Sequence, residues 1–253
     1  MKSIVFSAVP GLPEIRAGQD LSQTIATAVA GAGLVPEPCD VVVVAQKIVS
    51  KAEGRTVDLR TITPSPRAME LAAQTRKDAR LVEVVLSESQ EVMRAVPNVL
   101  IVRHRLGFVM ANAGIDRSNV PGAAQDRVLL LPNDPDASAA RLRDELSARW
   151  QVPVAVLISD SFGRAWRNGV VNVAIGAAGL PSIIDRRGEY DREGRALEMT
   201  EVAMADAIAA GAALVMGEAS EGTPVVIARG LQWAANERNA AALLRARDQD
   251  LFR

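Results

Sequence analysis

Cysteine and histidine are nearly missing from this 253-residue chain, which has one of each. The single Cys39 excludes an internal disulfide and any multi-cysteine zinc or iron–sulfur centre. Lying just ahead of an apolar run, it is expected to be a buried thiol in a reducing, cytoplasmic protein. One histidine cannot form a His-Glu-x-x-His pair, and no Gly-x-Ser-x-Gly elbow occurs. His104 falls in a predicted hairpin turn, where an exposed and idle imidazole is expected. Any metal must then be held through oxygen, which favours magnesium, manganese or calcium over zinc. Neither Gly-x-x-x-x-Gly-Lys-Ser/Thr nor a Gly-x-Gly-x-x-Gly after a strand is present, so an ordinary P-loop or Rossmann site is excluded. Charge of one sign is lacking too: the net charge is -1, which argues against a nucleic-acid partner. No apolar stretch approaches membrane-spanning length, and Pro10 and Gly11 interrupt the first one too early for a signal peptide.

What is there suffices for a large core, with 49% hydrophobic and 23% charged residues, in one domain or two closely joined lobes. A strand over residues 4–9 runs into a turn whose Pro10 and Pro13 would hold it as a rigid lip. Asp20 caps a helix with Leu21, Ile25 and Val29 on one face, and residues 41–45 form an interior strand. Helix is predicted over residues 66–91, broken near Lys77 or Asp78, followed by strands at 99–102 and 107–110. A strand at 127–131 precedes a helix carrying Ala140, Leu142, Leu146 and Trp150. Thr200 and Glu201 would open a long helix ending at Gly217, and residues 224–228 form a last strand. The tail, 231–253, reads as helical and then frayed, and residues 185–195 are too charged for a core.

Chemistry concentrates in residues 154–168, VAVLISDSFGRAWRN. An interior strand over 154–158 is followed by Ser159, Asp160 and Ser161 before Gly163 turns the chain. An acid at a strand exit is held rigidly enough to bind a hard divalent cation through oxygen. Arg164 and Arg167 set guanidinium groups beside it, suited to a polyphosphate. Other clusters follow the same logic. Gln46, Lys47, Ser50 and Lys51 emerge where the strand at 41–45 ends, and two of them are basic. Asp116 and Asn119 lie three apart in a glycine-containing loop, and Glu218 and Glu221 occupy a helix-to-strand loop. Asn172 is the one polar side chain in the glycine-, alanine- and valine-rich segment 169–179.

Six segments in order, residues 11–15, 40–55, 111–120, 159–179, 187–219 and 224–230, resemble the coenzyme F420-0:L-glutamate ligase family over almost the whole chain. The resemblance implies an α+β fold of mixed sheets and helices without a P-loop, forming a homodimer with nucleotide near the subunit junction. One ligase domain would span 1–253, and a reductase-like C-terminal domain found in some members would be missing, with its activity. The implied reaction uses GTP and divalent metal to attach L-glutamate to the lactyl carboxylate of F420-0 through an acyl phosphate, then adds γ-linked glutamates. Magnesium or manganese would occupy two sites, with potassium as a further cation.

Carried over by residue, the resemblance gives GTP contacts to Leu12, Pro13, Glu14, Ile15, Gln46, Lys51 and Asn119. Gln46 stands where relatives often carry a small hydroxyl residue. The loop of Met216, Gly217, Glu218, Ala219, Ser220, Glu221, Gly222 and Thr223 would supply the remaining nucleotide contacts. Asp116 and Asp160 match metal ligands, and Ser161 and Glu218 match positions of a second metal. Lys51 and Arg164 would assist Asp160 in transfer. The same acids would also serve a metal-dependent phosphohydrolase or, without turnover, a GTP-binding module.

Overall fold

The valines at 41–44 are buried on both sides, and in the computed structural model, which describes residues 3–118, 126–234 and 238–250, the molecule is built outward from them. The first half of the chain forms β1 (Val5–Ala8), α1 (Leu21–Gly31), β2 (Val41–Ala45), α2 (Gln46–Ala52), β3 (Thr56–Asp58), α3 (Pro66–Thr75), α4 (Ala79–Ser87), β4 (Ser89–Val96), β5 (Val99–His104) and β6 (Val109–Ala111). The second half adds β7 (Arg127–Leu129), α5 (Pro135–Trp150), β8 (Ala155–Arg164), β9 (Arg167–Ala178), β10 (Ile184–Asp185), β11 (Glu201–Val202), α6 (Met204–Met216) and β12 (Val225–Arg229). A five-stranded sheet runs in the order β1-β12-β2-β8-β9, with β2 and β8 parallel and its other pairs antiparallel. A second sheet, β4-β5-β6, and the pairs β3-β7 and β10-β11 complete an α+β arrangement of mixed sheets and helices.

Alternation along the strands decides which helix covers which face. Val42, Val44, Val156, Ile158, Val225 and Ile227 share a core with Ile25 and Val29 of α1 and Leu142 and Leu146 of α5. The intervening residues, Val41, Val43, Leu157, Val226 and Ala228, face Ala205, Ile208 and Ala212 of α6. A sheet covered on both sides explains why β2 is uninterrupted valine rather than alternating apolar and polar. Two glycines set the packing distances. A Cβ at Gly176 of β9 would lie 2.3 Å from the Pro135 carbonyl oxygen at the start of α5, and one at Gly211 of α6 would lie 2.4 Å from the Phe6 ring.

The helices begin where side chains can satisfy their free N–H groups. Asp20, Ser65, Asp78 and Asp134 accept from backbone N–H groups at the starts of α1, α3, α4 and α5, and prolines open α3 and α5. Beneath α3 and α4, Leu71, Val82 and Val85 pack on Leu100 and Val102 of the second sheet. A buried charge cluster ties this region to the strand-to-helix segment near the main sheet. Arg55 donates through Nη2 to both Glu88 oxygens at 3.0 Å, Arg105 Nε reaches Glu88 at 3.0 Å, and Arg55 Nε donates to the Leu131 carbonyl at 2.9 Å. His104 Nδ1 accepts from the Leu106 N–H at 3.0 Å, which leaves the proton on Nε2, 3.4 Å from Glu88. Burial pushes the Glu88 carboxyl up, but the His104 N–H and the two guanidinium groups outweigh it and hold it at about 2.

Several expectations need correction. The helix predicted over 66–91 breaks where expected but ends at Ser87, because Ser89–Val96 forms β4, whose register shifts conceal its alternation. β8 continues through Ser159, Asp160, Ser161 and Gly163 to Arg164, so the reversal falls at Ala165 and Trp166. Glu201 does not start a helix. It pairs with Asp185, and α6 begins at Met204. Among its described residues the tail has short 3-10 turns at Ala240–Leu243 and Arg247–Gln249 rather than an α-helix. Cys39 is exposed in a left-handed turn, φ 66°, and His104 is fully buried against Glu88 rather than idle at the surface.

Removing one member of a buried, paired cluster leaves the others desolvated and unmatched. Glu88→Ala is therefore expected to lower unfolding free energy by about 3 kcal/mol in a denaturant titration. In the parent, the contribution of Glu88 is fully present above its ordinary value near 4.5 and is lost as pH falls toward about 2. The variant should lack that component of acid sensitivity.

Candidate functional site

At the C-terminal end of β2 the chain turns at once into α2, while its parallel neighbour continues. Ala45 pairs with Ser159, the last β2-β8 pair, so Asp160 and Ser161 lie on an extension of β8 flanked only by β9. The turn after β1 and the loop from α6 to β12 arrive at the same end, where the Ala45 N–H donates to the Pro224 carbonyl at 2.8 Å. Together these segments enclose a cavity of about 360 Å³, lined by residues 12–15, 45–48, Lys51, 159–161, Asn172 and 216–224. β2 and β8 are the sheet's one parallel pair, and the cleft lies beyond their carboxyl ends.

The loop carrying Asp116 is brought in from the side. Its carboxylate is 2.7 Å from Lys47 Nζ, which also donates to Ser118 Oγ at 2.6 Å, and it accepts from the Ser118 N–H at 2.6 Å. Asp116 and Leu129 of β7 exchange backbone hydrogen bonds at 3.0 and 2.9 Å. Ahead of it Asn112, Ala113 and Gly114 all take left-handed φ, at 50°, 54° and 68°. Two non-glycine residues in that region are strained, and the flanking bridge holds the turn. Burial pushes the Asp116 carboxyl up, yet Lys47 and the Ser118 N–H hold it below its usual range.

Asp160 behaves oppositely. Burial raises its carboxyl to about 7; the Ser161 N–H opposes the shift, Asp116 adds to it, Lys47 opposes it, and Glu218 adds to it. Three carboxylates from distant parts of the chain thus share one electrostatic site. The lysines are already engaged, Lys47 with Asp116 and Lys51 with Glu14 at 2.6 Å. The 216–223 loop is closed by Thr223 Oγ1 donating to the Met216 carbonyl at 2.9 Å and by Glu221 accepting from the Ala219 N–H at 2.8 Å. Polar atoms at the cavity floor lack hydrogen-bond partners among the described residues: Gln46 Nε2, Ser159 Oγ and Asn172 Oδ1. Buried groups left that way point to a bound ligand, ion or water.

Of the residues expected to form the site, Leu12, Pro13, Glu14, Ile15, Gln46, Lys51, Asp160, Ser161 and residues 216–223 line the cavity. Asp116 joins them through Lys47 and its charge. Asn119 lies outside the described residues. Arg164 is not brought in: it is on the exposed hairpin tip, donating to the Asn168 carbonyl at 3.0 Å. Lys47 and Ser159 stood in clusters noted from the sequence, but no specific role was assigned to them or to Asn172, and all three line the cavity. The isolation of Asn172 in an apolar strand was the available signal. Among the described residues no three histidine, cysteine, aspartate or glutamate side chains group closely enough to hold a metal by themselves. A cation here needs hydroxyl or amide oxygens as well, which the floor supplies.

A family model described as F420-0:Gamma-glutamyl ligase matches residues 11–230. A protein of Methanothermobacter thermautotrophicus named coenzyme F420:L-glutamate ligase is 45% identical over 252 residues, covering 99% of each chain. One of the same name from Methanopyrus kandleri is 45% identical, covering 100% of this chain and 99% of its own. A third, from Methanocaldococcus jannaschii, is 42% identical over 86% of each.

The raised Asp160 carboxyl makes a prediction about ligand-free stability. The unfolded chain releases this proton near 3.8 and the folded chain near 7, so stability falls as pH rises between those values and stays low above them. Asp160→Asn buries no charge and should melt higher than the parent at pH 8, with the difference vanishing near pH 4. Thermal denaturation across that range checks it.

Proposed function

The chain belongs to the F420-0:gamma-glutamyl ligase family and is a ligase; from that premise we propose that it joins L-glutamate to coenzyme F420-0 with consumption of GTP. The observation that carries this reading is the convergence of Asp116, Asp160 and Glu218 around Asp160 in a desolvated cavity. An amide does not form from a free carboxylate at neutral pH without activation. In the proposed reaction the acceptor carboxylate oxygen attacks the γ-phosphorus of GTP, the bond to the bridging oxygen breaks, and GDP leaves. The glutamate amine then attacks the carbonyl carbon of the acyl phosphate, the C–N bond forms as the C–O bond to the phosphate breaks, and the departing phosphate takes up the amine proton.

The residues present fit a pair of divalent cations, magnesium or manganese: the donors are all oxygen, and unpartnered oxygens face the cavity. Asp116 and Asp160 would hold one, Ser161 and Glu218 the other, and when bound they would offset charge on the phosphate oxygens. Lys47 orients Asp116, and Lys51 stands ready to exchange its Glu14 contact for a phosphate. Residues 12–15 and 216–223 enclose the nucleotide from two sides, replacing the missing glycine-lysine cradle. Burial keeps water from the acyl phosphate, which would otherwise hydrolyse. A homodimer is proposed from the exposed apolar side chains Trp166, Met199 and Leu214, at 88%, 88% and 87% exposure.

Incubation with F420-0, GTP, manganese and L-glutamate should add one glutamyl mass unit to the acceptor, with GTP consumed only when both co-substrates are present. GTP turnover without them would favour a phosphohydrolase, and binding without turnover a nucleotide-binding module. Asp160→Ala should reduce ligation by at least about a thousandfold, in line with loss of a principal electrostatic group, while circular dichroism stays that of the parent. Retained activity would remove Asp160 from the site.

A further inference from the structure

We infer that Asn172 is a further oxygen ligand of the cation site built on Ser161 and Glu218, with the Ser159 hydroxyl behind it. The inference deepens the proposed reading and rests on those two residues holding a cation. Asn172 and Ser161 are directly opposed in the β8-β9 register, so their side chains leave the same face of the ribbon. Ser159, two residues before Ser161 with no register shift between them, shares that face. Asp160 and Val173 point to the other. The three polar residues therefore form a patch on one face of the two-stranded extension, flanked in β9 by Val170 and Ala174.

Burial makes the patch costly unless something binds it. Asn172 is 5% exposed and Ser159 2%, and the orphaned atoms are both oxygens, Oδ1 and Oγ. Carbonyl and hydroxyl oxygens beside carboxylates are the donor set of a hard cation. The surroundings select for positive charge as well. Lys47 and Lys51 are each paired with a carboxylate, Asp116 at 2.7 Å and Glu14 at 2.6 Å, and Asp160, Glu218 and Glu221 line the same cavity. Acids alone do not assemble a compact cluster among the described residues, so neutral oxygens have to complete the coordination. A neutral amide does this without adding a fourth negative charge to the site.

The test is manganese titration of the full chain without nucleotide, by calorimetry and by loss of the free-ion spin-resonance signal. Asn172→Leu should weaken one manganese site by at least about tenfold, the scale on which perturbed coordination spheres lose affinity. Asn172→Asp should retain or tighten it, and Ser159→Ala should weaken it less than Asn172→Leu does. If Asn172→Leu fails to fold, the comparison of Asn172→Asp with Asn172→Ser carries the test, the first binding more tightly. Parent-like stoichiometry and affinity in every Asn172 variant would overturn the inference while leaving the ligase reading intact. A parent that binds no manganese would overturn both cation assignments, and the glutamylation assay then judges the ligase reading separately.

Discussion

Desolvation of the Asp160 carboxyl, against the charges of Asp116 and Glu218, is the constraint on which the candidate site depends. Its position follows from a difference in strand length. β2 stops at Ala45 while β8 runs on to Arg164, and the residues past the last shared pair are left at the edge of a sheet whose two faces are otherwise dry. Helices α1 and α5 on one side and α6 on the other hold that edge, and Gly176 and Gly211 allow their close approach. A carboxylate placed there has few protein groups to neutralise it, so its environment favours either a proton or a cation.

The folded chain spends stability at this end and recovers it elsewhere. Asn112 and Ala113 adopt backbone conformations that cost roughly 1–2 kcal/mol each, and Gln46, Ser159 and Asn172 carry unsatisfied buried atoms. Against these stand the all-valine centre of the sheet and the Glu88 cluster, whose partners Arg55 and His104–Arg105 come from two other segments of the chain. Rigid support of this sort is what keeps a charged site from relaxing into a pattern of internal ion pairs. Where internal pairing does occur, as in Lys47 with Asp116 and Lys51 with Glu14, the partners are site residues themselves.

Much of the fold was legible from local chemistry. Asp20 and the proline-rich turns mark helix starts, and the valine run at 41–44 and the apolar residues at 154–158 mark interior strands. Failures came where a distant partner overrides the local signal. Glu201 looks like a helix start until Asp185 is known to pair with it, and β4 was hidden because irregular register breaks its alternation. Asp160 reads as a strand exit, yet β9 extends the strand through it. The meeting of residues 116, 160 and 218 has no local signature. Resemblance to relatives brought those positions together in advance, and burial and charge then give them a physical reason to be there.

Diffraction from crystals grown with manganese and a non-hydrolysable GTP analogue, with anomalous scattering recorded at the manganese edge, is the most direct measurement of whether the oxygen groups of β8, the Asp116 loop and the 216–223 loop act as one cation-and-phosphate site. Two anomalous peaks are expected inside the cavity at the end of β2, one between Asp116 and Asp160 and one beside Ser161 and Glu218. Manganese or triphosphate bound elsewhere, with that cavity holding neither, would contradict it.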